Sequence, residues 1–320
     1  MIHEGAISVV SSAQGGRRSW IKTAWRELRF HRWMYLMVIP GVVYFSIFAY
    51  APMFGLVIAF KRFNAFTGIW DSPWVGLGNF KRFFQSIYFM RLIRNTVLIN
   101  LYSLAVGFPA PIILALLLNE VTRPMFKRTV QTLSYLPHFV STVVVTSIII
   151  NLLSMYGPIN TLIGRLGLKA IPFMNRPEWF RHIYVWSGVW QGVGWGSIIY
   201  LAGLAGIDPM LYESAGIDGA GRLAKMWYIS IPGILPTIMV LLLLSLGSML
   251  SLGFEKIYLL YSPNTYETAD VISTYVYRAG LLGGDYSFGT AVGLFNAVIN
   301  VVLLALFNWL AGRLQQQTLW

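Results

Sequence analysis

No cysteine occurs in this chain, which excludes disulfides, thiol catalysis and thiolate-held metals. Charge is nearly as scarce, at 11% of the 320 residues against about 25% in a water-soluble domain. So little charge cannot clothe a solvated surface, and a soluble enzyme or soluble binding module is ruled out. Four histidines, His3, His31, His138 and His182, are too scattered for metal-ligand spacing. No G-x-x-x-x-G-K-[ST] stretch is present, so the chain has no phosphate loop with which to hydrolyse ATP. No His/Asp/Glu constellation stands near a membrane edge, which argues against a membrane-bound transferase.

Apolar residues are what the chain has in plenty: 56% of it is hydrophobic and the mean hydropathy is +0.62. Six apolar segments, at 33–58, 93–118, 131–154, 182–205, 234–255 and 287–311, each approach the roughly 20 residues that cross a bilayer as a helix. The expected fold is an all-α integral membrane protein with six transmembrane helices. The connections at 59–92, 155–181 and 256–286 are long and rich in Trp, Tyr, Phe, Pro and Gly; those at 119–130 and 206–233 are compact and polar.

Ahead of the first span, residues 1–32 form a basic N-terminal segment. Within it "RRSWIKTAWRELRFHR" puts Trp20, Ile21, Ala24, Trp25 and Leu28 at helical spacing, with Lys22, Arg26 and Arg29 on other faces. That pattern predicts an amphipathic helix lying on the membrane surface. The start, "MIHEGAISVV", lacks the basic lead-in of a cleavable signal. Residues 33–311 form the transmembrane domain and 312–320 a C-terminal tail.

The 24 Lys and Arg divide evenly between the two sides, so their count alone sets no orientation. Their density before the first span favours both termini in the cytoplasm. The net charge of +12 fits anionic headgroups or an anionic solute better than nucleic acid. The spans are almost free of charge, Glu255 standing at an end, and no repeat relates the halves. Both facts argue against an ion-coupled secondary transporter or a channel, which stands as the alternative.

Within the fourth span, Gly188, Gly192 and Gly196 recur at spacing four, a face that permits close helix packing. Gly289 and Gly293 repeat the device in the sixth, followed by Asn296 and Asn300. Packing and the lining of a path are compatible readings of these stripes. Rings that stack on sugars and side chains that hydrogen-bond them make Asn151, Trp190, Gln191, Trp195, Asn296 and Asn300 candidates for a solute path.

The polar insert "DPMLYESAGIDGAGRLAKMWYISIP" at 208–232 is out of keeping with its apolar neighbours. Asp208 followed by Pro209 predicts an N-cap and a first helical residue. A short helix would then stop at Gly216, and Asp218 would cap a second one whose apolar face holds Leu223, Met226 and Trp227. Pro232 would mark the entry to the fifth span. Glu213, Ser214, Ala215, Gly219, Ile229, Ile231 and Pro232 stand at the offsets of the EAA loop of ABC importer permeases, which the stretch resembles. Ser214 and Ile231 depart from the strict consensus by conservative changes. "SPWVGLGNF", "FPAPIILALLLNE" and "QTLSYLPHFVS" also resemble the sugar branch of that family, most of all its members for complex oligosaccharides of plant or algal polysaccharides.

The resemblance implies a type I importer permease fold in a bacterial cytoplasmic membrane. It implies a second, similar permease, two cytoplasmic ATPase subunits that bind ATP and magnesium, and an extracytoplasmic solute-binding protein. This chain would itself bind no cofactor or metal. Residues 206–233 would be a cytoplasmic coupling loop seated in the ATPase through Glu213, Ala215, Asp218, Gly219, Ile231 and Pro232. The solute would be an oligosaccharide, with alginate- or pectin-derived acidic chains suggested by the basic outer residues Lys61, Arg62, Lys81, Arg82, Arg165, Lys169 and Arg176; an acidic face of the solute-binding protein would suit the same residues equally.

Overall fold

The computed structural model describes residues 32–247 and 253–313, so the surface helix expected within 1–32 and most of the tail at 312–320 lie outside the described residues. The chain divides into two compact units, Met1–Val57 and Ile58–Trp320. In the first unit, α1 (Arg32–Phe45) buries none of its residues, as befits a helix whose solvent is lipid.

Among the described residues the secondary structure is helical apart from two isolated bridges. Five stretches are both long and apolar enough to cross a membrane: Arg32–Phe60, Phe89–Asn119, Thr142–Arg165, Arg222–Leu246 and Tyr286–Leu306. The remaining expected span, the fourth, lies in α6 (Pro177–Ala205), whose 29 residues extend about 43 Å, well beyond the hydrocarbon core. Its glycines, tryptophans and Gln191 keep it less apolar than the others. The reason is position. It packs against α3 (Pro109–Asn119), α4 (Pro124–Tyr135) and α8 (Ile231–Gly247), so protein replaces lipid along much of its length.

Two expected spans begin and end elsewhere. The segment 131–154 is broken: α4 stops at Tyr135, a 3-10 turn covers Leu136–Phe139, and α5 (Thr142–Leu153) starts afresh. Pro137 and the extended backbone of Val140 and Ser141 interrupt the ladder, and Ser141 Oγ accepts the Val144 N–H at 3.4 Å as a new N-cap. The fifth span starts early, because the helix runs from Arg222 through Pro232 into α8. Glu255 falls on a separate helix, α9 (Phe254–Leu260), and so does not end that span.

Proline explains another feature. Three of the four π-helical segments among the described residues, Ser46–Tyr50, Ser103–Gly107 and Met226–Ser230, each end two residues before a proline, Pro52, Pro109 and Pro232; the fourth, Val276–Leu282, does not. A proline has no N–H and crowds the carbonyl one turn back, so the preceding turn widens. The helices therefore continue through their prolines.

Three apolar clusters hold the second unit together. Ile99, Val145, Ile149, Phe180, Ile257 and Leu260 join α2 (Phe89–Tyr102), α5, α6 and α9. Phe83, Leu92, Ile272, Phe288 and Val292 tie α2 to α10 (Tyr286–Arg313). Ala115, Leu116, Tyr200, Leu204 and Ile234 pack α3, α6 and α8 together near the polar insert.

Candidate functional site

The insert is a helix with both ends closed. Asp208 caps α7 (Pro209–Ile217), its carboxylate accepting the Met210 N–H at 2.9 Å, with Pro209 at the first helical position. At the other end the Ala220 N–H donates to Ala215 O at 2.8 Å and the Gly219 N–H to Gly216 O at 3.2 Å. That pair of bonds is a Schellman closure, and it needs a left-handed residue, which Gly219 supplies at φ +80°. Two expectations are corrected here. The helix runs to Ile217 rather than stopping at Gly216, and Asp218 is its C-cap, while Gly221 precedes the next helix at Arg222.

A Cβ on Gly219 would meet nothing within 4 Å, so backbone conformation rather than crowding within the chain requires glycine. Glu213, Asp218 and Pro232 are exposed and Ala215 and Ile231 half-buried. Met210, Leu211, Ile217, Leu223, Trp227 and Tyr228 present their apolar surfaces around them. The Tyr212 hydroxyl lies 3.0 Å from Ser230 Oγ, joining α7 to the widened turn that leads into α8.

A cavity of about 380 Å³ opens between the π segment of the second span and the middle of α6. Ser103, Gly188, Gln191 and Gly192 help line it, and so does Lys256 from α9. Lys256 carries the one fixed charge of this lining, and burial lowers its ammonium from the usual lysine range to about 8. The Nζ stands over the Tyr184 ring, 5.3 Å from its centroid, and 3.5 Å from where a Cβ on Gly188 would lie. The sequence reading passed over Lys256 because it directly follows Glu255 at the edge of an apolar run.

The candidate path residues do not converge on one place. Gln191 both lines the cavity and donates from Nε2 to Val140 O at 3.2 Å, steadying the break before α5. Trp195 stacks flat on His138 at 4.7 Å and meets Phe139 edge-on. Trp190 and Asn151 are exposed; Asn296 and Asn300 are half-buried on α10, with the Asn296 Oδ1 enclosed and without a partner. None of these four lines the cavity.

The glycine stripe also divides. A Cβ on Gly196 would lie 3.0 Å from Pro111 Cγ, whereas Gly192 has nothing within 4 Å and faces open space. The tightest approach on α6 belongs to Gly194, where a Cβ would overlap the Ser134 carbonyl. On α10 a Cβ on Gly289 would lie 2.7 Å from Gly280 Cα, and one on Gly293 would meet nothing within 4 Å. Gly192 and Gly293 are therefore not packing positions within this chain.

Several of the cations expected on the outer side have structural partners. Lys61 is buried and donates to Ile69 O at 2.9 Å and Trp70 O at 2.8 Å, closing the loop whose Trp74 stacks on Phe60. Arg82 pairs with Asp285 and covers the Phe288 ring at 4.0 Å. Asp270, fully buried, accepts from Arg278 at 2.7 and 3.2 Å, from Arg91 at 3.1 Å and from the Thr274 hydroxyl at 2.9 Å. Burial opposes the Arg278 charge, but the Asp270 carboxylate outweighs it and holds its pKa above the ordinary arginine value. Asn95 extends this cluster, donating to Asp270 O at 2.9 Å and accepting from Arg181 at 3.0 Å. The start of α2, the start of α6 and the 266–278 connection are thus fastened at one point.

Comparison with known proteins gives a consistent result. The model of the binding-protein-dependent transport system inner membrane component family matches residues 107–317. The chain is 45% identical to Protein LplB of Bacillus subtilis (strain 168), covering 94% of each chain. It is 47% identical to the polygalacturonan/rhamnogalacturonan transport system permease protein YteP of the same organism, over 89% of each. Among solved structures it is similar to a bacterial ABC transporter involved in the import of the acidic polysaccharide alginate. That likeness has a TM-score of 0.85 at 45% identity, over 91% of this chain and 99% of the other. A crystal structure of bacterial alginate ABC transporter in complex with alginate pentasaccharide-bound periplasmic protein gives a TM-score of 0.86 at 44% identity, over 92% and 99%.

Proposed function

Because the chain belongs to the family of binding-protein-dependent transport system inner membrane components, we propose that it helps form the membrane path of an ATP-driven importer for acidic oligosaccharides. It is a multi-pass ABC transport permease of the sugar branch. The acidic solute is supported by relatives named for polygalacturonan, rhamnogalacturonan and alginate.

In this reading a second permease completes the path, a solute-binding protein delivers the sugar, and two ATPase subunits hold ATP and magnesium in the cytoplasm. A neighbour crystallised with its periplasmic protein favours the second of these partners. Both termini and residues 206–233 then face the cytoplasm.

One observation carries the coupling role: α7 is a fully closed helix that displays Met210, Leu211 and Ile217 to the outside. An isolated amphipathic connector would turn such residues inward or into lipid. A rigid short helix linked through Tyr212 and Ser230 to the root of α8 can instead transmit a push from the ATPase to the fifth span. Glu213 and Asp218 supply carboxylates at its exposed surface for charge-assisted bonds.

The test uses the reconstituted complex in liposomes, with uptake and solute-stimulated ATP hydrolysis measured together. Forcing a non-glycine residue into the left-handed region costs about 1–2 kcal/mol. Gly219→Ala should lower both activities while leaving the complex assembled, and Gly219→Asn, which tolerates that conformation, should recover much of the loss. Wild-type values for Gly219→Ala would remove the coupling role. Uptake by the chain without any ATPase subunit would favour an ion-coupled transporter instead.

A further inference from the structure

We propose that the cavity between Ser103–Gly107 and the middle of α6 is a carboxylate-binding subsite, in which Lys256 receives the acid group of one uronate unit. The inference deepens the reading above and rests on it, since it assumes that the solute is acidic. It begins from a cation with no counter-charge. Lys256 is half-buried, no carboxylate lines the cavity it enters, and no ion pair among the described residues includes it. A buried charge normally has a partner of opposite sign, so an unpaired one marks a place where a partner arrives.

The surroundings suit a sugar acid. At about 380 Å³ the space falls within the roughly 300–1,000 Å³ of small-ligand pockets. Ser103 stands on its wall with its Oγ enclosed and unpartnered, so a turn about χ1 would bring that hydroxyl to a ligand oxygen. Gln191 also lines the space, with its Nε2 held by Val140 O. Beside the ammonium lies the Tyr184 ring.

The glycines make the floor. A Cβ on Gly188 would just touch the Lys256 Nζ, at 3.5 Å, and Gly192 leaves open space above α6. The repeat that looked like a helix–helix contact is, at these two positions, bare backbone under a cavity. Burial also depresses the Lys256 pKa, and an arriving carboxylate would raise it again by stabilising the ammonium. The other titratable group of the lining is Tyr184, which bears no charge at neutral pH.

The test compares two solutes that differ only in the acid: a uronate trisaccharide and its carboxyl-reduced, neutral counterpart. Uptake is measured with the complete transporter in proteoliposomes at one pH. Lys256→Gln should cut uronate uptake about tenfold or more, the usual effect of losing a hydrogen bond to a charged group, and leave the neutral sugar within about twofold. Lys256→Arg should retain the uronate. Gly192→Leu, which fills the floor, should reduce both sugars and so report occupancy of the cavity independently of charge.

Equal uptake of the uronate by wild type and Lys256→Gln would overturn the subsite while leaving the acidic-solute reading intact. A wild-type transporter that imports only the neutral trisaccharide would overturn the acidic-solute reading, and the subsite with it. Dissociation of the Lys256→Gln complex with loss of both sugars, while Lys256→Arg stays assembled, would assign Lys256 to a carboxylate of a partner subunit and also overturn the subsite.

Discussion

Replacing Asp270 by asparagine keeps the shape of the side chain and removes its charge. In the native structure both oxygens are engaged: Oδ1 by Arg278 Nη1 and Thr274, Oδ2 by Arg278 Nη2 and Arg91 Nη2. An amide in the same place has one acceptor oxygen, and its NH2 faces donors on the other side. Arg91 and Arg278 are mostly buried and lose their counter-charge together. Removing one partner of a buried pair costs about 3–5 kcal/mol. At about 1.4 kcal/mol per decade, that is a hundredfold or greater rise in local opening.

Amide hydrogen exchange across 91–100 and 270–278, measured on the assembled transporter in nanodiscs, reads that opening directly. Asp270→Asn should accelerate exchange about a hundredfold there and leave α7 unchanged. Adding Arg278→Met should recover part of the loss, about 1–3 kcal/mol, because one of the two uncompensated charges is gone and an apolar stem remains beside Tyr266. Exchange within threefold of wild type, or a double variant opening as readily as the single one, would refute the electrostatic account of this junction.

Two further outcomes follow from the packing and the charge of α6 and its cavity. Gly194→Ala places a methyl group on the Ser134 backbone and should lower stability by about 1–3 kcal/mol, whereas Gly192→Ala should be neutral or mildly stabilising; differential scanning fluorimetry of the purified complex compares them. The Lys256 ammonium is charged below about 8 and neutral above it, so uronate uptake should fade as pH rises through that value. Lys256→Arg should stay flat over the same window, and a parallel decline in both would assign the pH dependence elsewhere.

Much of the architecture was legible because lipid imposes long apolar runs, and Asp208–Pro209 announced a helix start by local chemistry alone. The break at 136–141 was hidden because apolar residues continue straight through it, and only Pro137 and Ser141 betray a new cap. Gly219 was recognised by its spacing, yet the reason it must be glycine is a backbone angle, which no composition displays. Asp270 offered no signal at all: its partner Arg91 lies 179 residues away, and its separation of eight from Arg278 matches no helical neighbour pair. Lys256 is similar, since its meaning depends on which wall of α6 it faces.

The pairing of a widened turn with each downstream proline has a consequence for how such a chain can change over evolutionary time. A π turn takes up one more residue than an α turn, a residue that an ordinary helix would convert into about 100° of rotation. At Pro52, Pro109 and Pro232 the proline and its neighbouring extra residue therefore form a linked pair, a local insertion absorbed without turning the rest of the span. Deleting one residue from 226–230 alone would leave Pro232 in a tight helix, and replacing Pro232 alone would leave the widened turn without its cause. Making both changes should yield regular α-helix from Arg222 up to Pro236 with every later side chain on its original face. Related permeases can thus differ in length by one at such points and still present the same surfaces to lipid, partner and solute.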